Sequence, residues 1–70
     1  MILRSPEELG KALSRRRREL GLTQEQVADL IGTNRRVVGE LERGKGTVRL
    51  KIAIDVCSVL GLDLESRPRT

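Results

Sequence analysis

Apolar side chains recur along this chain at spacings of three and four, interrupted at intervals by glycine, and that pattern predicts helices. Leu9, Leu13 and Leu20, with Ala12 beside them, mark one face of a first helix over about 6–20. Ser5 is its cap, Pro6 takes the first helical position and Glu8 reaches back to close a capping box, while Gly21 supplies the left-handed stop. Thr23 and Gln26 repeat the cap pattern for a short second helix. Val27, Ala28, Leu30 and Ile31 fill its inward side, and Gly32 ends it. Thr33 or Asn34 caps a third helix that runs to about Arg43 and stops before Gly44. Residues 48–60 make a fourth, closed by Gly61.

The fourth helix carries more apolar surface than one core needs. Leu50, Ala53, Ile54, Cys57 and Leu60 form an arc for the domain interior, and Ile52, Val56 and Val59 form a second arc beside it. Beyond it, the stretch LDLESR at 62–67 alternates apolar and charged residues, the period of a strand with one buried face, until Pro68 ends it. A strand needs a partner for its backbone groups. Either Ile2 and Leu3 pair with it, or the same strand of a second chain does. A twofold dimer burying Ile52, Val56, Val59, Leu62 and Leu64 would satisfy the helix and the strand together. The alternative is that the N-terminal residues fold over this face. The expected architecture is therefore all-α, one domain over 1–70, with a helical core over 6–61 and a short C-terminal β-strand at 62–67 paired across a dimer.

Composition removes most other functions. Seventy residues leave no room for a cleft of enzyme size, so no catalysis is expected. There is no His and only one Cys, Cys57, so neither a zinc site nor a histidine-assisted nucleophile can be assembled, and no metal or cofactor is expected. The absence of Phe, Tyr and Trp removes the stacking platforms that read single strands. Fourteen Lys and Arg against ten Asp and Glu favour an anionic partner. Neither a long apolar run nor a leader-like segment is present, so the expected location is the cytoplasm, with no membrane partner.

Two short helices joined by a few residues containing glycine have the geometry of a helix-turn-helix. The run LSRRRRELGLTQEQVADLIGTNRRVVGELERGK resembles the Xre/Cro, lambda-repressor-like DNA-binding domain: Leu-Gly ending the first helix, then Leu-Thr-Gln, a Leu-Ile-Gly turn, and Glu-Arg-Gly-Lys after the third helix. The resemblance covers 9–61. The serine-proline opening and the LDLESRPR stretch resemble the HipB-type antitoxin branch. It implies a four-helix fold, double-stranded DNA as partner, a homodimer on a palindromic operator and, by analogy, an antitoxin that binds a HipA-like kinase toxin. The sequence given ends at Thr70 without an extended tail, so neutralisation by tail insertion is not expected.

On a helical wheel, Val38 and Leu41 of the third helix point toward the domain, whereas Thr33, Arg36, Val37 and Glu40 form a stripe the core does not claim. An arginine can pair with guanine O6 and N7, and an asparagine with adenine N6 and N7. By the resemblance, Asn34, Arg35 and Arg36 sit at base-reading positions; Val37 could touch a thymine methyl and Glu40 could accept from cytosine. The competing reading makes Asn34 only a cap and Arg36 with Glu40 an ordinary i,i+4 pair. Thr23, Gln24 and Thr33 at helix starts, and Arg43, Lys45 and Arg49 after the third helix, are expected phosphate contacts, Gln24 by its match to the family's phosphate clamp. The alternative for Arg43, Lys45 and Arg49 is a solvated charged loop. The resemblance also pairs Arg17 with Glu42 as a structural ion pair, leaving Arg15 and Arg18 as surface charge and Arg16 at the edge of the core. Gly39, in mid-helix, could serve close packing or approach to a phosphate. The competing functions are a protein-binding module facing an acidic partner and a double-stranded RNA binder.

Overall fold

Side-chain caps fix where the chain becomes helical. Ser5 Oγ accepts the Glu8 N–H at 3.1 Å, and α1 follows over Pro6–Glu19. The Glu8 carboxylate accepts from the Arg4 N–H, at 3.3 Å, so the expected reciprocal bond to Ser5 is replaced by one a residue further out. Thr23 and Gln26 do close a full capping box, at 3.0 and 2.8 Å, and open α2 over Gln24–Ile31. Asn34 Oδ1 accepts the Val37 N–H at 3.1 Å and opens α3 over Arg35–Glu42. The last helix, α4, spans Leu50–Val59 and has no side-chain cap. The computed structural model describes residues 2–70.

The core is built from Leu13, Val27, Ala28, Val38, Leu41, Ala53, Val56, Cys57 and Leu60. α3 lies against both α1 and α2, and α2 also packs on α4. Burial pushes the Cys57 thiol up, and it behaves as a small apolar core residue. Arg16 donates from Nε to the Leu60 carbonyl at 2.9 Å, closing the end of α4 with a side chain of α1.

Several expectations about the apolar faces are corrected. Leu20 and Leu30, assigned to the interior, are exposed, because the inward arc of α2 is centred between Val27, Ala28 and Ile31 and leaves Leu30 outside it. On α4 the assigned arcs are displaced. Val56 is 1% exposed and lies inside the domain, whereas Leu50 at 73% and Ile54 at 44% face solvent. Ile52 and Leu62 are half-buried against the core, and Val59 is half-buried too. The centre of the buried arc runs through Ala53, Val56, Cys57 and Leu60, so Val56 is unavailable to a second chain.

The C-terminal strand is not formed within the single chain: among the described residues there is no strand, and 62–70 has no regular secondary structure. The Leu62 N–H returns to the Cys57 carbonyl at 2.9 Å, finishing the helical turn, and no backbone bond joins the tail to Ile2 or Leu3. Alternation alone does not make a strand when nothing accepts and donates along its edge.

Two mid-helix glycines have opposite roles. A Cβ at Gly10 would lie 2.4 Å from the Glu42 carbonyl oxygen and 2.7 Å from that of Leu41, so α1 seats directly on the backbone at the end of α3. At Gly39 a Cβ would meet the tip of Arg43 at 3.2 Å and Gln24 at 3.6 Å, contacts a flexible side chain can relieve. Gly10→Ala is therefore expected to destabilise by about 1 to 3 kcal/mol or more, lowering Tm by roughly 4–8 °C per kcal/mol. Gly39→Ala should leave Tm unchanged or raise it, since alanine gains about 1 kcal/mol of helix propensity. Thermal unfolding followed by circular dichroism checks both; an unaltered Tm for Gly10→Ala would contradict the close seating of α1 on α3.

Candidate nucleic-acid interface

The turn between α2 and α3 is three residues, Gly32, Thr33 and Asn34. Gly32 has φ +76°, and the Thr33 N–H bonds the Ala28 carbonyl at 2.9 Å, so the chain leaves α2 through a left-handed glycine and re-enters a helix at once. This is helix-turn-helix geometry. Asn34 is exposed and spends its Oδ1 on the cap, which leaves its amide group free. Arg35 and Arg36 follow it, both exposed and neither in a salt bridge among the described residues. The competing Arg36–Glu40 salt bridge is not formed.

Glu40 turns instead to Lys45, whose Nζ lies 2.8 Å from its carboxylate. The hydrogen bond from Lys45 holds the Glu40 carboxyl below the usual carboxylate range, with Arg36 and Arg43 adding to the effect. Thr33, Val37 and Glu40 line a shallow groove with Lys45, Thr47, Val48, Arg49 and Ile52. Two residues expected in separate roles, Glu40 for bases and Lys45 for phosphates, are thus brought together. Thr47 and Val48, unremarked in the sequence, complete the groove wall; the only signal for them was the glycine-bounded loop. Arg43 and Arg49 are exposed and outside any salt bridge among the described residues.

The other end of α3 is anchored in the interior. Arg17 meets Glu42 through two bonds, Nε to Oε2 at 2.6 Å and Nη2 to Oε1 at 3.0 Å, and gives Nη1 to the Leu22 carbonyl at 2.9 Å. Gln24 donates its amide to the same Glu42 carboxylate at 3.1 Å. The side chain expected to clamp a phosphate therefore faces inward, while the backbone N–H of Gln24, in the first turn of α2, has no intrahelical acceptor. Burial pushes the Glu42 carboxyl up, but the bonds from Arg17 and Gln24 outweigh it and the net shift is downward. The bond to Glu42 raises Arg17 in turn. Of the arginine run, Arg15 and Arg18 are solvent-exposed, as expected for surface charge.

Residues 13–66 match the model of the family described as Helix-turn-helix (HTH_3). An uncharacterized HTH-type transcriptional regulator of Methanothermobacter thermautotrophicus is 40% identical over 45 residues, 64% of this chain, and the matched region spans 65% of that relative's length. Among solved structures, a HipB complex with an O4 20mer is similar with TM-score 0.90 over 100% of this chain and 99% of that one, at 21% identity. A chain of a HipA-HipB-O2-O3 complex is equally similar, with TM-score 0.90 and 21% identity over 100% of this chain and 99% of that one. The likeness at that identity establishes a shared four-helix fold. No helix among the described residues is long and apolar enough to cross a membrane.

The Arg17–Glu42 pair generates an acid-stability prediction. Because the folded-state pKa of Glu42 lies below its ordinary value, its contribution is fully present above the ordinary carboxylate range and is lost as pH falls through the lower, folded value. Urea unfolding from pH 7 to pH 2 should show the Glu42→Gln variant less stable at neutral pH and less sensitive to acid than the parent; parallel pH profiles would remove Glu42 from the effect. Arg17→Ala leaves a largely enclosed carboxylate without its partner and is expected to cost up to about 3 kcal/mol at neutral pH.

Proposed function

The chain belongs to the Helix-turn-helix family, and from that premise we propose that it is a sequence-specific repressor that binds double-stranded DNA as a dimer on a palindromic operator, without catalysis. The observation that carries the reading is the start of α3, where Arg35 and Arg36 stand exposed with their guanidinium groups uncommitted and Asn34 keeps its amide nitrogen free beside its capping oxygen. Arginine and asparagine are the side chains suited to bidentate contacts with guanine and adenine in the major groove, a groove wide enough to admit a helix. Val37 and Glu40 continue the reading stripe. Thr23, the Gln24 backbone, Thr33, Arg43 and Arg49 flank it and hold the phosphate backbone, fixing register without carrying sequence information.

The dimer is supported by what the single chain leaves uncovered. Leu50 and Ile54, one turn apart on α4, and Leu64 are exposed, while Ile52 and Val59 are half-buried on the other flank of the buried arc. A twofold pair covering them would read two half-sites about 34 Å apart. The fold shared with HipB, solved in complexes with an O4 20mer and with HipA, also supports an antitoxin role with a kinase toxin as second partner.

Fluorescence anisotropy against random duplexes and duplexes selected from a random pool tests the DNA reading. Selected duplexes should bind far more tightly, with a steep loss of affinity as salt rises; equal binding to both pools favours the protein-interaction reading, and preference for RNA duplexes the RNA-binding one. Arg36→Ala should cost about 1–3 kcal/mol and relax one base position, whereas an equal loss on every duplex would assign Arg36 to a phosphate. In sedimentation, Ile54→Asp should convert dimer to monomer; an unchanged mass would place the dimer contact elsewhere.

A further inference from the structure

The Glu40–Lys45 pair is held by the backbone as well as by its side chains. Gly44 takes φ +82°, and the N–H groups of Gly44 and Lys45 return to the Leu41 and Glu40 carbonyls, each at 3.0 Å. A Cβ at Gly44 would fall 2.7 Å from the Cα of Glu7, so the start of α1 closes over the turn. The chain therefore brings Lys45 back over the residue five positions earlier, where its Nζ meets Glu40 at 2.8 Å. Glu40 is the more enclosed partner, with its side chain 19% exposed against 53% for Lys45, and it lies in the groove with Thr33, Val37, Thr47 and Arg49.

A bare carboxylate on a surface that meets phosphates is repelled, and an ionised carboxylate can only accept hydrogen bonds. In the major groove the donors it can meet are the amino groups of cytosine and adenine. Once paired with lysine, the carboxylate keeps unused lone pairs for such a donor while the pair carries no net charge. The same neutrality means that the pair adds nothing to the count of neutralised phosphates.

We propose that Lys45 is a positioning residue for Glu40: it fixes and neutralises the carboxylate that selects a base bearing an amino group, and its effect on DNA binding is exerted through Glu40. This rests on the DNA-binding reading above and changes the role expected of Lys45, from a direct phosphate contact to a determinant of sequence preference.

The test is a double-mutant cycle on the intact chain, with Lys45→Met, Glu40→Gln and the double variant, each measured by anisotropy on the selected duplex and each subjected to selection from the random pool. Lys45→Met alone is expected to weaken binding about fivefold or more, and less than about twofold when Glu40 is already Gln, a coupling within the range of contacting residues. It should also shift preference at the same base pair as Glu40→Gln. The double variant should retain the parental salt slope, whereas loss of one phosphate contact would lower the slope by about 0.9. An equal loss from Lys45→Met in both backgrounds, with base preference intact, overturns the inference and leaves DNA binding standing. Failure of the parent chain to select any motif overturns both.

Discussion

Glu42 carries a negative charge into the junction of three helices, and it is answered from two of them: two nitrogens of Arg17 on α1 and the amide of Gln24 on α2. Arg17 also gives its remaining terminal nitrogen to the Leu22 carbonyl in the α1–α2 connection. A buried ion pair of this kind is often no more stabilising than apolar residues of the same size, because desolvation offsets much of the attraction. Its geometry matters more here. α3 has only eight residues, about 12 Å of helix, so its direction is decided by what holds its two ends. The left-handed turn at Gly32 and the Asn34 cap hold one end; Glu42 holds the other, with α1 pressed onto its last carbonyls at Gly10. The arginines at the outward end inherit their orientation from that constraint.

The boundaries of the helices were legible because they are local. A cap side chain and a left-handed glycine each act within a few residues, and Thr23 with Gln26, Asn34 and Gly32 behave as their spacing implies. The apolar faces were less legible, because a helical wheel orders the residues around a helix but does not say which direction the rest of the chain comes from. α4 has apolar residues on most of its circumference, and it is the packing of α2 and the shared core against it that puts Val56 inside and Ile54 outside. Gly10 was silent for the same reason: its neighbours, Leu41 and Glu42, are more than thirty residues away in sequence. The strand is not formed within the single chain for a different reason, since alternation describes a face and a ladder needs a second edge.

At the candidate site, the outward Asn34, Arg35 and Arg36 follow from the wheel once Val38 and Leu41 are known to be buried. The Arg17–Glu42 pair spans 25 positions, a separation with no periodic meaning, and only family resemblance pointed to it. The Glu40–Lys45 pair was invisible to both approaches. Helical spacing pairs Glu40 with Arg36, one turn earlier, and that pairing gives way because the turn at Gly44 presents a lysine on the same side at shorter range.

These pairings shape the field around α3. Residues 34–49 contain five basic and two acidic side chains, and both acids are held by cations, Glu40 by Lys45 and Glu42 by Arg17. Four arginines, at 35, 36, 43 and 49, are left without carboxylate partners among the described residues on or beside α3. The net charge of +4 understates this asymmetry. The domain measures 17 Å across its thinnest dimension, about twice the Debye length of roughly 8 Å at physiological salt. Acids on the far side are therefore largely screened from a polyanion at α3, which meets the local arginines rather than the average of the molecule. Pairing both carboxylates of α3 internally is what lets a small and only moderately basic chain leave its arginines there unopposed.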